Sequence, residues 1–216
     1  MLRQEIEQYI LSHTDPEPEP LRRLNRETHL YHLYSRMCSG HYQGRLLRML
    51  TAMIRPRRVV ELGTFTGYSA LCIAEALPPG AELHTIEIDD ELEDFIRQHL
   101  AAIPGGERVT LHIGAAEEVL PTLPGQFDMA FLDANKRHYI EYYELLLPRI
   151  VPGGFILADN TLWDGKITDT AANHDPQTLG IAAFNDHIAA DPRVSCVPLP
   201  VRDGLTLIQR LPLKTE

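Results

Sequence analysis

The sequence predicts an α/β fold: a seven-stranded mixed sheet, parallel except for one antiparallel strand, with helices on both faces and extra helices at the N-terminal end. Three observations carry this expectation. From Arg57 onward, short β-rich runs alternate with helix-patterned stretches, the order of βαβ units around a parallel sheet. The first run turns into a glycine-bearing corner, "VVELGTFTGYSAL". The chain closes on "VSCVPLPV" and "LTLIQRL" joined through "RDG", a hairpin signal that supplies the antiparallel strand.

Taken in order, the stretch through His13 has the pattern of a short amphipathic helix, and "TDPEPEP" breaks it with an extended, proline-stiffened spacer. From Leu21 to Ile54 apolar residues recur at helical spacing, interrupted around Ser39-Gly40. Then "RVVELG" precedes the helix "YSALCIAEAL", "ELHTIEI" precedes "DELEDFIRQHLAAI", and "RVTLHIG" precedes "AEEVLPTL". "FDMAFLDA" leads to "HYIEYYELLLPRI", and "GFILAD" leads, after a polar surface loop over 168–180, to "IAAFNDHIAA". The tyrosines 31, 34, 139, 142 and 143 are expected in core packing. One domain over 1–216 follows, with a helical segment over 1–54 and the sheet core over 57–211.

Bulk composition narrows the function. At 216 residues, with 44% hydrophobic and 23% charged residues, the chain has the make-up of one soluble globular domain. A formal charge of −10 disfavours a surface built to hold phosphate backbones. The opening "MLRQEIEQYILSH" has no apolar signal region, and no apolar run is long enough to span a bilayer. Three separated cysteines with no paired spacing point to a reducing, cytoplasmic setting. Ten histidines offer no zinc-like spacing.

Chemistry-bearing residues gather at predicted strand ends. The corner carries Gly63 and Gly67, with Phe65 where a dinucleotide fingerprint has its middle glycine, which speaks against a nicotinamide oxidoreductase. Glu87 ends the second strand, where a carboxylate can accept both ribose hydroxyls of an adenosine; a solvated strand end is the plain alternative. Asp133 ends the fourth strand, and Asp159 with Asn160 ends the fifth. If those strands are neighbours, two carboxylates and a carboxamide suit a hard cation such as Mg²⁺; otherwise each simply caps a turn. Lys136 stands three residues past Asp133, as a general base or as a surface lysine pairing with a glutamate. Trp163 is either an aromatic wall for a planar acceptor or a loop anchor.

These segments together resemble the cation-dependent, S-adenosylmethionine-using O-methyltransferases, the family of catechol and caffeoyl-CoA O-methyltransferases and bacterial relatives, across roughly residues 30–211. "VVELGTFTGYSAL" looks like the family's first cofactor motif, "FLDANKRHY" its metal-and-base motif, "ILADN" its second metal motif, and "DPRV" with "LPVRDGLTLIQR" its closing hairpin. The resemblance implies a Rossmann-like core. It places Asp133, Asp159 and Asn160 on the metal ligands and Lys136 on the proposed base, with Asp133 also catalytic and facing the cofactor. It places Glu87 on the ribose, Ser69 on the methionine carboxylate, Glu61, Gly63 and Thr64 along the cofactor's other side, and Ala116 at the adenine. Met37 and Ser39 match a segment that closes over the cofactor, and Trp163 and Asp164 lie where substrate contacts occur. The implied partners are S-adenosylmethionine, a divalent cation (Mg²⁺), a small catechol-like or other vicinal-diol aromatic and, from the family, a second copy in a homodimer. Membrane association is not implied. The rival acceptor is a hydroxylated RNA base; a nicotinamide oxidoreductase and a non-catalytic cofactor-binding module are the remaining alternatives.

Overall fold

The computed structural model describes residues 4–212. Its seven strands form one sheet in the order β3-β2-β1-β4-β5-β7-β6. They are β1 (Arg58–Leu62), β2 (Glu82–Glu87), β3 (Val109–Ile113), β4 (Phe127–Leu132), β5 (Ile150–Asp159), β6 (Val194–Leu199) and β7 (Leu205–Arg210). Pairing is parallel for β2–β3, β1–β4 and β4–β5. β7 runs antiparallel to both β5 and β6, so the hairpin supplies the one reversed strand, as expected. The helices are α1 (Gln4–Ser12), α2 (Glu19–Tyr31), α3 (Gly40–Ile54), α4 (Tyr68–Glu75), α5 (Glu93–Ala102), α6 (Ala116–Val119), α7 (Tyr139–Leu146) and α8 (Pro176–Ala190). No helix among the described residues is long and apolar enough to cross a membrane.

Contacts divide the chain into two compact units. One holds 58–63 and the chain from 116 onward, that is β1, β4 to β7 and α6 to α8. Its core is the near-continuous apolar run of β4, buried on both faces as a central parallel strand must be, with Phe127 and Phe131 fully enclosed. Phe184 of α8 meets the buried Tyr139 ring edge-on at 5.3 Å. Burial of each such ring contributes about 2–3 kcal/mol.

The other unit holds 2–57 and 64–115. Its helix α4 is apolar almost all round, and seven of its eight residues are buried. Leu21 and Leu24 of α2, Tyr68, Leu71 and Cys72 of α4, and Ile96 and Leu100 of α5 share one core cluster. Thr28 and Thr66 hydroxyls pair inside it at 3.0 Å.

Four expectations are corrected. The expected loop over 168–180 ends early, because α8 already starts at Pro176: Asp175 caps it by accepting from the amides of Gln177 and Thr178, each at 3.1 Å. β5 starts at Ile150 rather than beside Phe155, since the register against β4 jumps from Phe127↔Ile150 to Met129↔Phe155 and the extra Pro-Gly-Gly residues are absorbed as a bulge. The proline spacer is shorter than expected, with α2 beginning at Glu19 and Pro20 inside its first turn. Tyr31 and Tyr34 are each 71% exposed, so only Tyr139, Tyr142 and Tyr143 of the five tyrosines pack in a core.

Candidate active site

Parallel sheets present ligands at the carboxyl ends of their strands, and the ends of β4 and β5 are in register. Leu132 pairs with Ala158, so Asp133 and Asp159 follow at the same level on adjacent strands, whose spacing is about 4.8 Å. One buried phenol fastens both ends: the Tyr139 hydroxyl donates to the Leu132 carbonyl at 3.2 Å and the Asp159 carbonyl at 3.0 Å. Burial, then the charges of Asp133 and Asp159, push that phenol well above the usual tyrosine range, which keeps it a donor.

Lys136 opens a 3₁₀ turn (Lys136–His138) capped by Asn135, whose Oδ1 accepts from the Arg137 amide at 3.2 Å. The turn folds the lysine inward. Its Nζ donates to Asp133 Oδ1 at 2.6 Å and stands 4.9 Å from the Tyr139 ring centroid. At 8% exposure it is not the surface lysine that was the plain alternative. Asp159 is 3% exposed, and its Oδ1 accepts from the Asn160 amide at 2.8 Å. Asn160 takes a left-handed conformation (φ +59°), one of the few residue types for which this is cheap. Two carboxylates against one ammonium leave one formal negative charge in a largely buried site. The remaining donor is a carboxamide oxygen. With no histidine or thiol among them, these donors fit a hard divalent cation rather than a softer one.

The chain beyond Asn160 is strained, with positive φ at Trp163 (+45°) and Asp164 (+54°). Asp164 is exposed, while Trp163 is half-buried and its indole Nε1 is enclosed with no hydrogen-bond partner. A buried donor left unpaired is costly.

Gly63, at φ +95°, has a requirement different from ligand approach: a Cβ there would overlap the Asp133 carbonyl. The Asp133 amide in turn donates to the Leu62 carbonyl at 2.9 Å. Glu61 is fully buried on β1, and Ala116 begins α6, partly exposed.

In the other unit, Glu87 ends β2 at 7% exposure. Its Oε2 accepts from the Phe65 amide at 2.6 Å and its Oε1 from the Asp89 amide at 3.0 Å. Burial outweighs those amide bonds and raises its pKa. A carboxylate can accept about four hydrogen bonds, so acceptor capacity remains beyond these amides. Phe65 adopts φ +50°, a glycine-like backbone, and its ring packs on the unit's core. Thr64 Oγ1 and Thr85 Oγ1 are 2.5 Å apart and buried. Ser69 is buried in the first turn of α4, Ser39 is buried just before α3, and Met37 is 55% exposed.

Sequence reasoning missed one charged cluster. Glu144, His187 and Asp191 gather at metal-like separations, but the Arg193 guanidinium already lies among them, 2.6 Å from both carboxylates. His187 Nε2 is 2.8 Å from Glu144, and the Tyr143 hydroxyl donates to Asp191 at 2.8 Å. A cation is therefore built in, and the cluster fastens the end of α8 to α7. Only "DPR" hinted at it.

Comparison with known proteins follows the same lines. Residues 11–211 match the family model described as O-methyltransferase. Tricin synthase 2 of Oryza sativa subsp. japonica is 37% identical over 191 residues, covering 83% of this chain, which spans 65% of that relative's length. Caffeoyl-CoA O-methyltransferase 2 of Zea mays is 34% identical, covering 96% of this chain and 83% of the relative. Among solved structures, the O-methyltransferase TomG from Streptomyces achromogenes, in complex with SAM, superposes with a TM-score of 0.88 at 31% identity, covering 98% of this chain and 100% of the other. The SAH-bound methyltransferase PaMTH1 of Podospora anserina gives 0.90 at 27%, covering 98% of each chain.

Proposed function

The chain belongs to the O-methyltransferase family, and from that membership we propose a divalent-cation-dependent enzyme that moves the methyl group of S-adenosylmethionine to a hydroxyl of a catechol-like or other vicinal-diol aromatic molecule. The observation that carries the cation and the acceptor class is the meeting of Asp133, Lys136, Asp159 and Asn160 at the register-matched ends of β4 and β5.

In this proposal Asp133, Asp159 and Asn160 hold Mg²⁺ through oxygen atoms. When bound, the cation supplies Lewis acidity toward a phenol whose ordinary pKa is about 10. S-adenosylmethionine supplies an electrophilic methyl carbon on sulfur. Lys136 receives the phenol proton at Nζ, and Asp133 Oδ1 orients that amine. Glu87, already pinned by backbone amides, turns its remaining acceptor capacity to the ribose hydroxyls. Ser69 takes the methionine carboxylate, Glu61, Gly63 and Thr64 line the cofactor, Ala116 meets the adenine, and Met37 and Ser39 cover it. Trp163 offers its ring as a wall for the planar acceptor, beside Asp164. Fixing two reactants in line is worth about 7 kcal/mol or more.

A homodimer and a cytoplasmic site of action complete the proposal. The exposed run Leu30, Tyr31, Leu33, Tyr34 and Met37 supports the first, and three cysteines outside any disulfide support the second.

A screen of vicinal-diol aromatics with labelled methyl donor, with and without EDTA, tests the reading. Asp159→Ala is expected to abolish turnover while leaving S-adenosylmethionine affinity unchanged. Full activity in excess chelator would remove the cation from the reaction, and labelling of tRNA in place of small phenols would move the acceptor to RNA.

A further inference from the structure

The backbone just past Asn160 runs through three left-handed non-glycine residues within five positions: Asn160, Trp163 and Asp164. Such conformations persist only where the surroundings over-determine them. Here the surroundings are one turn of the β6–β7 hairpin. The Gly204 carbonyl accepts from the Thr161 amide at 3.1 Å, and the Asp203 carbonyl accepts from the amides of Leu162 (2.8 Å) and Trp163 (3.2 Å). The Asp203 carboxylate then accepts from the Asp164 amide. Four consecutive amides are thus held by two residues more than thirty-five positions downstream.

Thr161 is gripped on its other atoms too. Its carbonyl accepts from Asn185 Nδ2 of α8 at 2.7 Å, and its hydroxyl accepts from Thr206 Oγ1 of β7 at 2.8 Å. The fit is close: a Cβ on Gly204, whose φ is +93°, would stand 2.5 Å from the Leu162 nitrogen. The "RDG" that signals a hairpin in the sequence is therefore also a template for the segment that begins at Asn160.

We propose that Asp203, with Gly204 and Asn185, positions the functional loop: the turn at 202–204 dictates where Asn160, Trp163 and Asp164 stand, and through them the affinity for metal and acceptor. This rests on the function proposed above for those three residues, while the placement itself does not. None of the three positioning residues is assigned contact with substrate, cofactor or cation.

The chain has a single tryptophan, Trp163, so its emission reports on this loop without interference. The experiment compares the full chain with Asp203→Ala, Asp203→Asn, Gly204→Ala and Asn185→Ala. It measures acrylamide quenching of Trp163, Mn²⁺ affinity by paramagnetic resonance, S-adenosylmethionine affinity by calorimetry and folding by circular dichroism. Asp203→Ala and Gly204→Ala are expected to roughly double the quenching constant and to weaken Mn²⁺ binding about tenfold, the scale of losing a group that orients a metal ligand. S-adenosylmethionine affinity stays within about twofold. Asp203→Asn, which keeps an acceptor oxygen for the Asp164 amide, restores wild-type quenching. Asn185→Ala, which leaves the hairpin turn intact, gives a smaller shift in the same direction and stands in should Gly204→Ala not fold. Wild-type quenching in folded Asp203→Ala and Asn185→Ala proteins would overturn the proposal, as would a loss of S-adenosylmethionine affinity in parallel with Mn²⁺. Absence of Mn²⁺ binding by the unaltered chain would defeat the functional reading instead, leaving the quenching series to decide this one.

Discussion

At the residue scale, Lys136 is the group whose two possible roles can be separated most cleanly. A buried ammonium 2.6 Å from Asp133 is either an ion-pair partner that stabilises a carboxylate or a base that has to give up its charge in the cycle. Lys136→Gln removes both roles and should lower kcat by about 10²- to 10⁴-fold, the usual span for a general base. Lys136→Arg keeps a cation beside Asp133 but replaces the amine with a group that never deprotonates in a protein. If proton transfer is the role, Arg is as slow as Gln. Recovery of more than about half the wild-type rate with Arg would reduce Lys136 to an ion-pair partner. Asp133, Asp159 and Asn160 were legible as candidates because they stand where apolar runs stop, and Lys136 because it follows Asp133 by three residues. The Tyr139 phenol that ties the two strand ends was not, since nothing in a tyrosine-rich helix distinguishes a core ring from one aimed at two carbonyls.

At the scale of elements, every strand was legible because each is a short β-rich run with a turn at its end, and the boundaries failed where polar residues do structural work. The stretch before α8 reads as a loop by polarity, yet Asp175-Pro176 is a capping residue followed by proline at the first helical position. The far end of α8 depends on charge. Arg193 holds Asp191 and Glu144 below the usual carboxylate range, in each case chiefly by direct hydrogen bonding. A carboxylate whose pKa is depressed on folding contributes stability that is present above its unfolded value of about 4 and is lost as pH falls through the folded one. Because the guanidinium side chain is 50% exposed, the discounted contribution is about 1 kcal/mol. Arg193→Met should therefore lower Tm by about 2–4 °C at pH 7. The gap to wild type should narrow steadily below about pH 4, where the unfolded chain takes up protons that the folded wild type, its carboxylates held low by Arg193, still resists. A gap independent of pH down to strong acid would mean that the arginine acts by packing on Tyr143, whose ring centroid lies 5.9 Å from it.

For the whole molecule, fold class and chemistry were readable together because a doubly wound sheet collects its functional residues at strand ends, which are also the points where sequence texture changes. The acceptor was not readable, and the loop past Asn160 shows why local sequence falls short: its amides are held by Asp203 and Gly204, far downstream in the chain. Which nucleotide the chain takes is open to a global measurement. Phe65 occupies the place of a dinucleotide fingerprint's middle glycine, and it keeps a left-handed backbone while its amide is spent on Glu87. That arrangement commits the Phe65 amide to Glu87, so the corner lacks the bare glycine backbone that a pyrophosphate needs. A ligand that binds only the folded state adds about 2.7 kcal/mol at a hundredfold excess over Kd. For a chain of this size that is a rise in Tm of about 5–10 °C. S-adenosylmethionine should produce that rise with or without EDTA, since none of its proposed contacts requires the cation, and NAD should produce none. Equal rises with both would return the dinucleotide reading to contention, whereas a rise that vanishes in EDTA would mean that the cation organises the cofactor site as well as the acceptor's.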